Sequence, residues 1–290
     1  MHVVDVFAQE KYGGNQLAVF HNTESMSTEE MQQLTREMNY SESTFIRSPE
    51  RRDGGYDVRI FDPAEELQFA GHPTLGTAYV LREFVCEDSP DKLTLNLGVG
   101  QIPVTVEHDE SGNEMFWMHQ VPPTFTRTVD HTLAARVLSL EEDDVDTEYP
   151  VQLVSTGLPT LIVPLQSLDA VQRAATNHEP YYEELIEPYG NLNILLFATE
   201  TYDDHDINAR VFADCGGVPE DPATGSSNGC LAAYLVEHEY FDTAEIDVAV
   251  EQGYEMNRRS LLHLYAEQDN ENIEVYVGGQ VIPVAEGRLL

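Results

Sequence analysis

Lysine is almost missing from this chain: Lys11 and Lys92 are the only two among 290 residues. Its 15 Lys and Arg face 52 Asp and Glu, a formal net charge of −37 at pH 7. Affinity for nucleic acid rests largely on basic side chains displacing counterions, so this balance argues against a DNA- or RNA-binding role. An anionic membrane surface is disfavoured for the same reason. Cysteine is scarce as well. Cys86, Cys215 and Cys230 form neither a CxxC spacing nor an even set, which speaks against a disulfide framework or zinc site and fits a reducing cytoplasm. No run of about 18 apolar residues is present to span a bilayer. The first residues, Met1-His2-Val3-Val4-Asp5-Val6-Phe7, lack the basic and apolar regions of a signal peptide.

What is present is enough apolar material for a sizeable core, with 41% hydrophobic and 9% aromatic residues spread along the chain. Disorder is thereby excluded despite the charge. Loss of lysine with dispersed acids predicts a protein suited to concentrated salt, where screening over a few ångströms removes self-repulsion.

The order of elements suggests a duplication. In the first part, short apolar runs at Val3 to Phe7 and Leu17 to Phe20 flank a Gly13-Gly14 turn. A helix opened by the Ser27-x-x-Glu30 capping box runs to about Met38. Strands are expected at 43–46 and 56–61, an apolar helix over 71–84 with Pro73 in its first turn, and strands over 93–106 and 114–120. After Pro122-Pro123 the pattern restarts: an acidic helix over 133–146, a strand pair over 152–165, a helix near 168–176, strands at 194–198 and 207–212, and a second glycine-led apolar helix over 225–238. At an offset of 154, Glu66 to His72 faces Glu220 to Ser226, and Ala78 and Leu81 face Ala232 and Leu235. Two lobes are expected, over 1–120 and 121–278, with a last strand near 279–290 returning to the first.

The starts of the two apolar helices are the first candidates for chemistry. Each presents unpaired N–H groups and a positive dipole end, which together suit a small anion such as a carboxylate. Ionisable groups lie close by in sequence: His72 after Gly71, and Asp221 before Gly225-Ser226. Glu42 sits between a helix and a strand among small hydroxyl residues. Partial burial there would raise its pKa toward neutrality and suit it to proton abstraction.

Four segments give these residues a context: Asp5-Val6-Phe7 with Gly14-Asn15-Gln16-Leu17-Ala18-Val19, Asn39 to Phe45, Phe69 to Ala78, and Glu220 to Ser226. Together they resemble the phenazine-biosynthesis PhzF-like isomerase family, as do Gln252-Gly253, Arg258-Arg259-Ser260 and Val277-Gly278-Gly279. The resemblance runs in order over nearly the whole chain, with Ser43 where the family commonly has Thr. It implies an α+β diaminopimelate-epimerase fold: two pseudo-symmetric lobes, each a mixed, barrel-like sheet wrapped round a central helix, with the active site in the cleft between them. It further implies Glu42 as the base that shuttles a proton, His72 and Asp221 as its acid-base or polarising partners, and Asn15, Gly71, Thr224, Gly225 and Ser226 as substrate-binding residues. Neither a metal nor an organic cofactor is implied. A small carboxylate-bearing metabolite is the implied substrate, and a homodimer the implied assembly. Cys230, inside an apolar helix, reads as packing.

The expected reaction is a cofactor-independent 1,3-type proton shift. An epimerase using Glu42 and Asp221 as two bases, or a non-catalytic small-acid binding protein, are the alternatives. Gly225-Ser226-Ser227-Asn228-Gly229 also fits G-x-S-x-G with Ser227 as nucleophile, but Pro219-Glu220-Asp221-Pro222 reads as a polar approach rather than the strand such an elbow needs. A glycosidase pair is disfavoured because Trp117 is the only tryptophan.

Overall fold

The computed structural model describes residues 1–109, 111–270 and 272–289. The chain forms two compact units, Met1–His119 with Gly278–Leu290, and Gln120–Val277. Among the described residues, no helix is long and apolar enough to cross a membrane.

The first unit contains β1 (His2–Val6), β2 (Asn15–Phe20), α1 (Thr28–Met38), β3 (Glu42–Ile46), β4 (Tyr56–Phe61), β5 (Glu66–Leu67), α2 (Gly71–Val80), β6 (Lys92–Leu97), β7 (Gly100–His108) and β8 (Glu114–His119). The second contains β9 (Thr124–Val129), α3 (His131–Val137), β10 (Val151–Ser155), β11 (Pro159–Pro164), α4 (Leu168–Arg173), α5 (His178–Pro180), α6 (Glu187–Tyr189), β12 (Asn193–Ala198), β13 (Ile207–Ala213), β14 (Val218–Asp221), α7 (Gly225–Glu237), β15 (Glu245–Gln252), β16 (Ser260–Asp269) and β17 (Asn272–Gly279). The last strand, β18 (Val281–Glu286), lies antiparallel on β1. Leu290, the final residue of the expected returning strand, lies outside the described residues.

The same ladder is built twice. In the first unit β1 pairs antiparallel with β18 and β2, β2 parallel with β3, β3 antiparallel with β4, and β4 antiparallel with β5 and parallel with β6, which turns back into β7. In the second, β10 pairs antiparallel with β9 and β11, β11 parallel with β12, β12 antiparallel with β13, and β13 antiparallel with β14 and parallel with β15, which turns back into β16. Parallel neighbours need long crossovers, and helices supply them at matching places. α1 joins β2 to β3, and α4 to α6 join β11 to β12; α2 and α7 lie within the second crossover of each unit. The fold is thus mixed α+β, and α2 and α7 both start at the glycines that the offset of 154 pairs.

Each of these two helices is apolar all round and almost wholly buried, as a helix enclosed by a sheet must be. Gly76 lets α2 approach closely: a Cβ there would stand 2.6 Å from Cδ2 of Leu17 and 2.8 Å from Cγ2 of Val6. The repeated glutamates have a structural role. Glu66 forks with Arg59 of β4 at 2.6 and 2.5 Å, and Glu220 with Arg210 of β13 at 2.8 and 2.9 Å. Each guanidinium also lies over the phenylalanine two residues on, Arg59 over Phe61 and Arg210 over Phe212. Bidentate forks of this kind are the strong form of carboxylate pairing.

Three boundaries differ from the sequence reading. The helix expected over 71–84 is α-helical only to Val80 and closes with a wider π turn, Leu81–Val85. The acidic helix over 133–146 is α3 followed by a separate 3₁₀ turn, Glu142–Asp144, because Ser139 takes a left-handed conformation (φ 57) that breaks it. The approach to Gly225 does contain a strand, β14, despite its prolines; as a short partner of β13 it keeps only part of a ladder.

Candidate active site

Glu42 is delivered to the head of β3 by a helix with firm ends. Ser27 Oγ accepts from the Glu30 N–H at 3.2 Å while Glu30 Oε2 accepts from the Ser27 N–H at 2.8 Å, the expected capping box. Asn39 closes α1 with a left-handed backbone (φ 54), its N–H reaching the Thr35 carbonyl. Tyr40 and Ser41 then bring Glu42 beside Leu17 in the parallel ladder. Strand alternation places Glu42 and Thr44 on one face and Ser43 and Phe45 on the other. Thr44 accepts a hydrogen bond from Thr77 of α2 at 2.8 Å, and Phe45 stacks on Phe20 under α1.

The face that carries Glu42 therefore looks onto α2, and His72 in its first turn meets it. Nε2 of His72 stands 3.3 Å from Oε2 of Glu42, with the side chains 5% and 18% exposed. On the other edge of the ring, the Asn15 amide nitrogen lies 3.2 Å from Nδ1. The ring thus stands between the Asn15 amide at Nδ1 and the Glu42 carboxyl group at Nε2. Burial pushes the imidazole down from 6.5 to about 3, opposed in part by a backbone contact with Gln16. Burial thus favours the neutral imidazole beside Glu42. Asn15 owes its place to Gly14, whose φ of +60 and missing side chain let the chain pass the Val6 carbonyl. Gly71 and His72 offer the first N–H groups of α2; Pro73 has none.

In the second unit, Asp221 ends β14 and Thr224 is the N-cap of α7. The Thr224 hydroxyl donates to Oδ2 of Asp221. Gln252, the buried last residue of β15, ties the turn together: its NH₂ donates to the Asp221 carbonyl at 2.7 Å and to Thr224 Oγ1 at 3.2 Å, and its Oε1 accepts from the Thr224 N–H at 3.2 Å and from Asn228 Nδ2 at 2.8 Å. Gly225 and Ser226 follow as the first two residues of α7, with Ser226 nearly buried. Asn15, Glu42, Gly71 and His72 are thus gathered in one unit, and Asp221, Thr224, Gly225 and Ser226 in the other.

The reading of Ser227 as a nucleophile falls on geometry. Ser227 is wholly buried and bonded to Thr160 Oγ1 at 3.1 Å and Asn193 Nδ2 at 3.2 Å, so it faces a hydroxyl and an amide rather than an imidazole base. Asp203, His205 and Glu251 bring ligand-type atoms within 4.8 Å of one another. Glu251 there accepts from the N–H groups of Tyr202 and Asp203 and pairs with His205, each at 2.8 Å, so its oxygens are occupied in pinning the 201–205 loop. Cys230 packs against Thr156 and the Leu158 carbonyl, and burial pushes its thiol up, away from reactivity. A cavity of about 1270 Å³ is lined by Met1, His2, His21, Leu34 and Arg288 among others, and includes neither Glu42 nor His72.

The role of Gln252 was missed in the sequence, where it appeared only as part of a C-terminal pattern. The one local signal was a polar residue ending the apolar alternation of β15 just before Gly253, whose φ is +76.

A mixed α+β fold built twice around a buried helix, with a carboxylate and a neutral imidazole in contact at one helix start, defines a protein of the epimerase and isomerase class. The family described as phenazine biosynthesis-like protein, PhzC-PhzF, matches residues 4–287, and the chain belongs to it. It is 33% identical over 287 residues, 99% of this chain and 97% of the relative, to trans-2,3-dihydro-3-hydroxyanthranilate isomerase of Pseudomonas aeruginosa. A PhzF-family phenazine biosynthesis protein from Bacillus anthracis superposes with a TM-score of 0.92 at 28% identity, covering 100% of this chain and 98% of that one. A predicted epimerase from Pseudomonas aeruginosa gives 0.81 at 33% identity with the same coverage. A probable proline racemase from Agrobacterium radiobacter shares the fold at a TM-score of 0.63 and 12% identity, over 100% of this chain and 92% of that one. The protein is a PhzF-type isomerase.

Proposed function

We propose that this isomerase moves a proton between two carbons of a small carboxylate-bearing substrate, with Glu42 as the shuttling base. The observation that carries the reading is the 3.3 Å approach of neutral His72 to Glu42 in a nearly buried position. A carboxylate there removes a proton from carbon, and the electron pair moves into the conjugated system toward the substrate's carboxylate. The protonated Glu42 then returns the proton to a carbon two positions away, so the net change is a 1,3 shift with no gain or loss of atoms. His72, held neutral by burial, stands beside the glutamate. Asn15 fixes the imidazole. Asp221 serves as the further acid-base or polarising group. Ser226 and the amide of Gly225 receive the substrate's carboxylate, while Thr224 keeps its hydroxyl on Asp221 and its N–H on Gln252; a helix start stabilises developing charge on oxygen by about 2.7–4 kcal/mol per donor on the oxyanion-hole analogy. A small acid reaching a protein of net charge −37 needs such local positive potential, and screening salt lowers the long-range cost.

The test is solvent-deuterium incorporation followed by NMR in concentrated salt, using trans-2,3-dihydro-3-hydroxyanthranilate and a panel of small aromatic and amino-acid carboxylates. Wild type should isomerise at least one of them, with deuterium at the receiving carbon to the extent that the protonated Glu42 exchanges with solvent before it returns the proton. Glu42→Gln should slow this by about 10²–10⁴-fold, the usual share of a positioned acid-base group. Isomerisation unaffected by Glu42→Gln, or absent with every acid, would overturn the reading.

The 33% identity to a predicted epimerase favours one second reading, two bases on opposite faces of one carbon. In Asp221→Asn, deuterium exchange that survives without turnover supports it; equal loss of both supports the single shuttling base.

A further inference from the structure

We infer that Gln252 is a positioning residue that fixes the direction of the Thr224 hydroxyl and thereby the orientation of the Asp221 carboxylate. A carboxamide has two N–H donors and two acceptor lone pairs, and here all four are engaged within a single turn of chain. The NH₂ group takes the Asp221 carbonyl and Thr224 Oγ1; Oε1 takes the Thr224 N–H and the Asn228 amide. Because Thr224 Oγ1 accepts from Gln252, its own proton is directed away from that bond and toward Oδ2 of Asp221, to which it donates. Asn228 reinforces the arrangement by donating to the Thr224 carbonyl at 3.0 Å as well. Asp221 thus has its main-chain carbonyl held by Gln252 directly and its carboxylate held through Thr224.

The backbone next to Gln252 makes this clamp rigid. Gly253 has φ +76, and a Cβ on it would run into the carbonyl oxygens of Arg258 and Pro222, so only glycine lets β15 close on the Asp221-Pro222 turn. Ser260, which faces Gln252 in the ladder, donates to the same Pro222 carbonyl at 2.8 Å. Gln252 is itself fully buried, so its orientation is determined by these partners and not by solvent. A catalytic or binding group needs such support, since misplacement by about 1 Å can cost 10²-fold in rate.

The inference rests on the role proposed for Asp221, and its test separates the two. Gln252→Glu keeps the shape and both acceptor bonds while removing the donors to Asp221 and Thr224; Gln252→Leu removes all four bonds. With ¹³C-carboxylate labelling, the Asp221 resonance is assigned by its disappearance in Asp221→Asn. It should shift or broaden in both Gln252 variants, with the far-ultraviolet circular dichroism unchanged, and this signature needs no substrate. With a substrate found in the deuterium screen, Gln252→Glu should lower kcat by about 10- to 100-fold with little change in KM, and should add almost nothing in an Asp221→Asn background. An Asp221 resonance that stays in place in a folded Gln252→Glu protein overturns the inference. So does a loss that is fully additive with Asp221→Asn. An Asp221→Asn enzyme of full activity overturns instead the role proposed for Asp221, while the resonance shift still establishes the clamp.

Discussion

α2 and α7 hold the same place in two copies of one ladder, yet their first turns are built from different chemistry. At α2 the strand that precedes the helix region brings in a carboxylate, and Glu42 meets His72 at 3.3 Å. At the matching head of β12, opposite Thr160 as Glu42 is opposite Leu17, stands Asn193, whose amide is used up on Ser227. The offset of 154 places Ser226 at the position of His72, and Leu67 at the position of Asp221. The two carboxylates proposed for chemistry are therefore not counterparts of each other. The duplicated scaffold supplies two buried helices with donors at their starts, and each copy adds its own acid at a different strand end. Shared features such as the Arg–Glu forks belong to the scaffold; the differences mark the candidate site.

The forks give the largest test of that division. Arg210 is nearly buried, forks with Glu220 and also donates to the carbonyls of Val171 and Ala174 at the end of α4. Arg59 and Glu66 are side chains 27% and 34% exposed. Removing one partner of a buried pair strands the other, at about 3–5 kcal/mol, whereas an exposed pair contributes about 0–1 kcal/mol. Arg210→Leu should cost about 3–5 kcal/mol in urea unfolding and Arg59→Leu about 1 kcal/mol or less. Similar losses from both would mean that burial does not distinguish the two copies.

Position 76 breaks the comparison in a second way. Gly76 faces Cys230 at the offset of 154, and the two helices have solved the same packing problem with opposite volumes. A side chain at 76 runs into Leu17 and Val6, while the sulfur at 230 fills space beside Thr156. Gly76→Ala should destabilise by about 1–3 kcal/mol through overpacking, and more than the gain in helix propensity of about 1 kcal/mol can offset. A Gly76→Ala protein as stable as wild type would show that α2 moves freely within its sheet. Cys230→Ala, which only leaves a small cavity, should keep isomerase activity, since the reading above gives the thiol no chemical role.

Much of the fold was legible because local signals agreed with the final structure. The Ser27–Glu30 capping box, the Gly13-Gly14 turn and the glycine-led apolar helices are all short-range patterns, and the offset of 154 located the start of both buried helices. The regions that were not legible depend on tertiary pairing. Val218–Asp221 is a strand only because β13 lies beside it, and the helix over 133–146 is broken by one left-handed serine. At the candidate site, His72 was legible as an ionisable group at a glycine-led helix start, its role being what the resemblance implies, whereas Gln252 acts through bonds to residues 24 to 31 positions away, which no window along the chain could reveal.

The smallest and most selective test asks whether position 72 alone makes the first helix start respond to pH, as its counterpart Ser226 cannot. In the folded protein burial holds His72 neutral down to about 3, whereas in the unfolded chain it takes up a proton near 6.5. Between those values the unfolded state binds the extra proton, so stability rises with pH and falls as pH falls from about 6.5 toward about 3. The contribution approaches about 1.4 kcal/mol per pH unit within that window and vanishes above it. His72→Ser, which installs the residue of the second copy, should flatten the slope of unfolding free energy by up to that amount between about pH 6 and 4, with little change in slope above pH 7. The carboxylates that also titrate there are common to both proteins, so the difference between the two curves isolates the imidazole. An unchanged slope would mean that His72 is protonated in the folded state and pairs with Glu42 as an ion, in which case the neutral imidazole assigned to the first helix start is wrong.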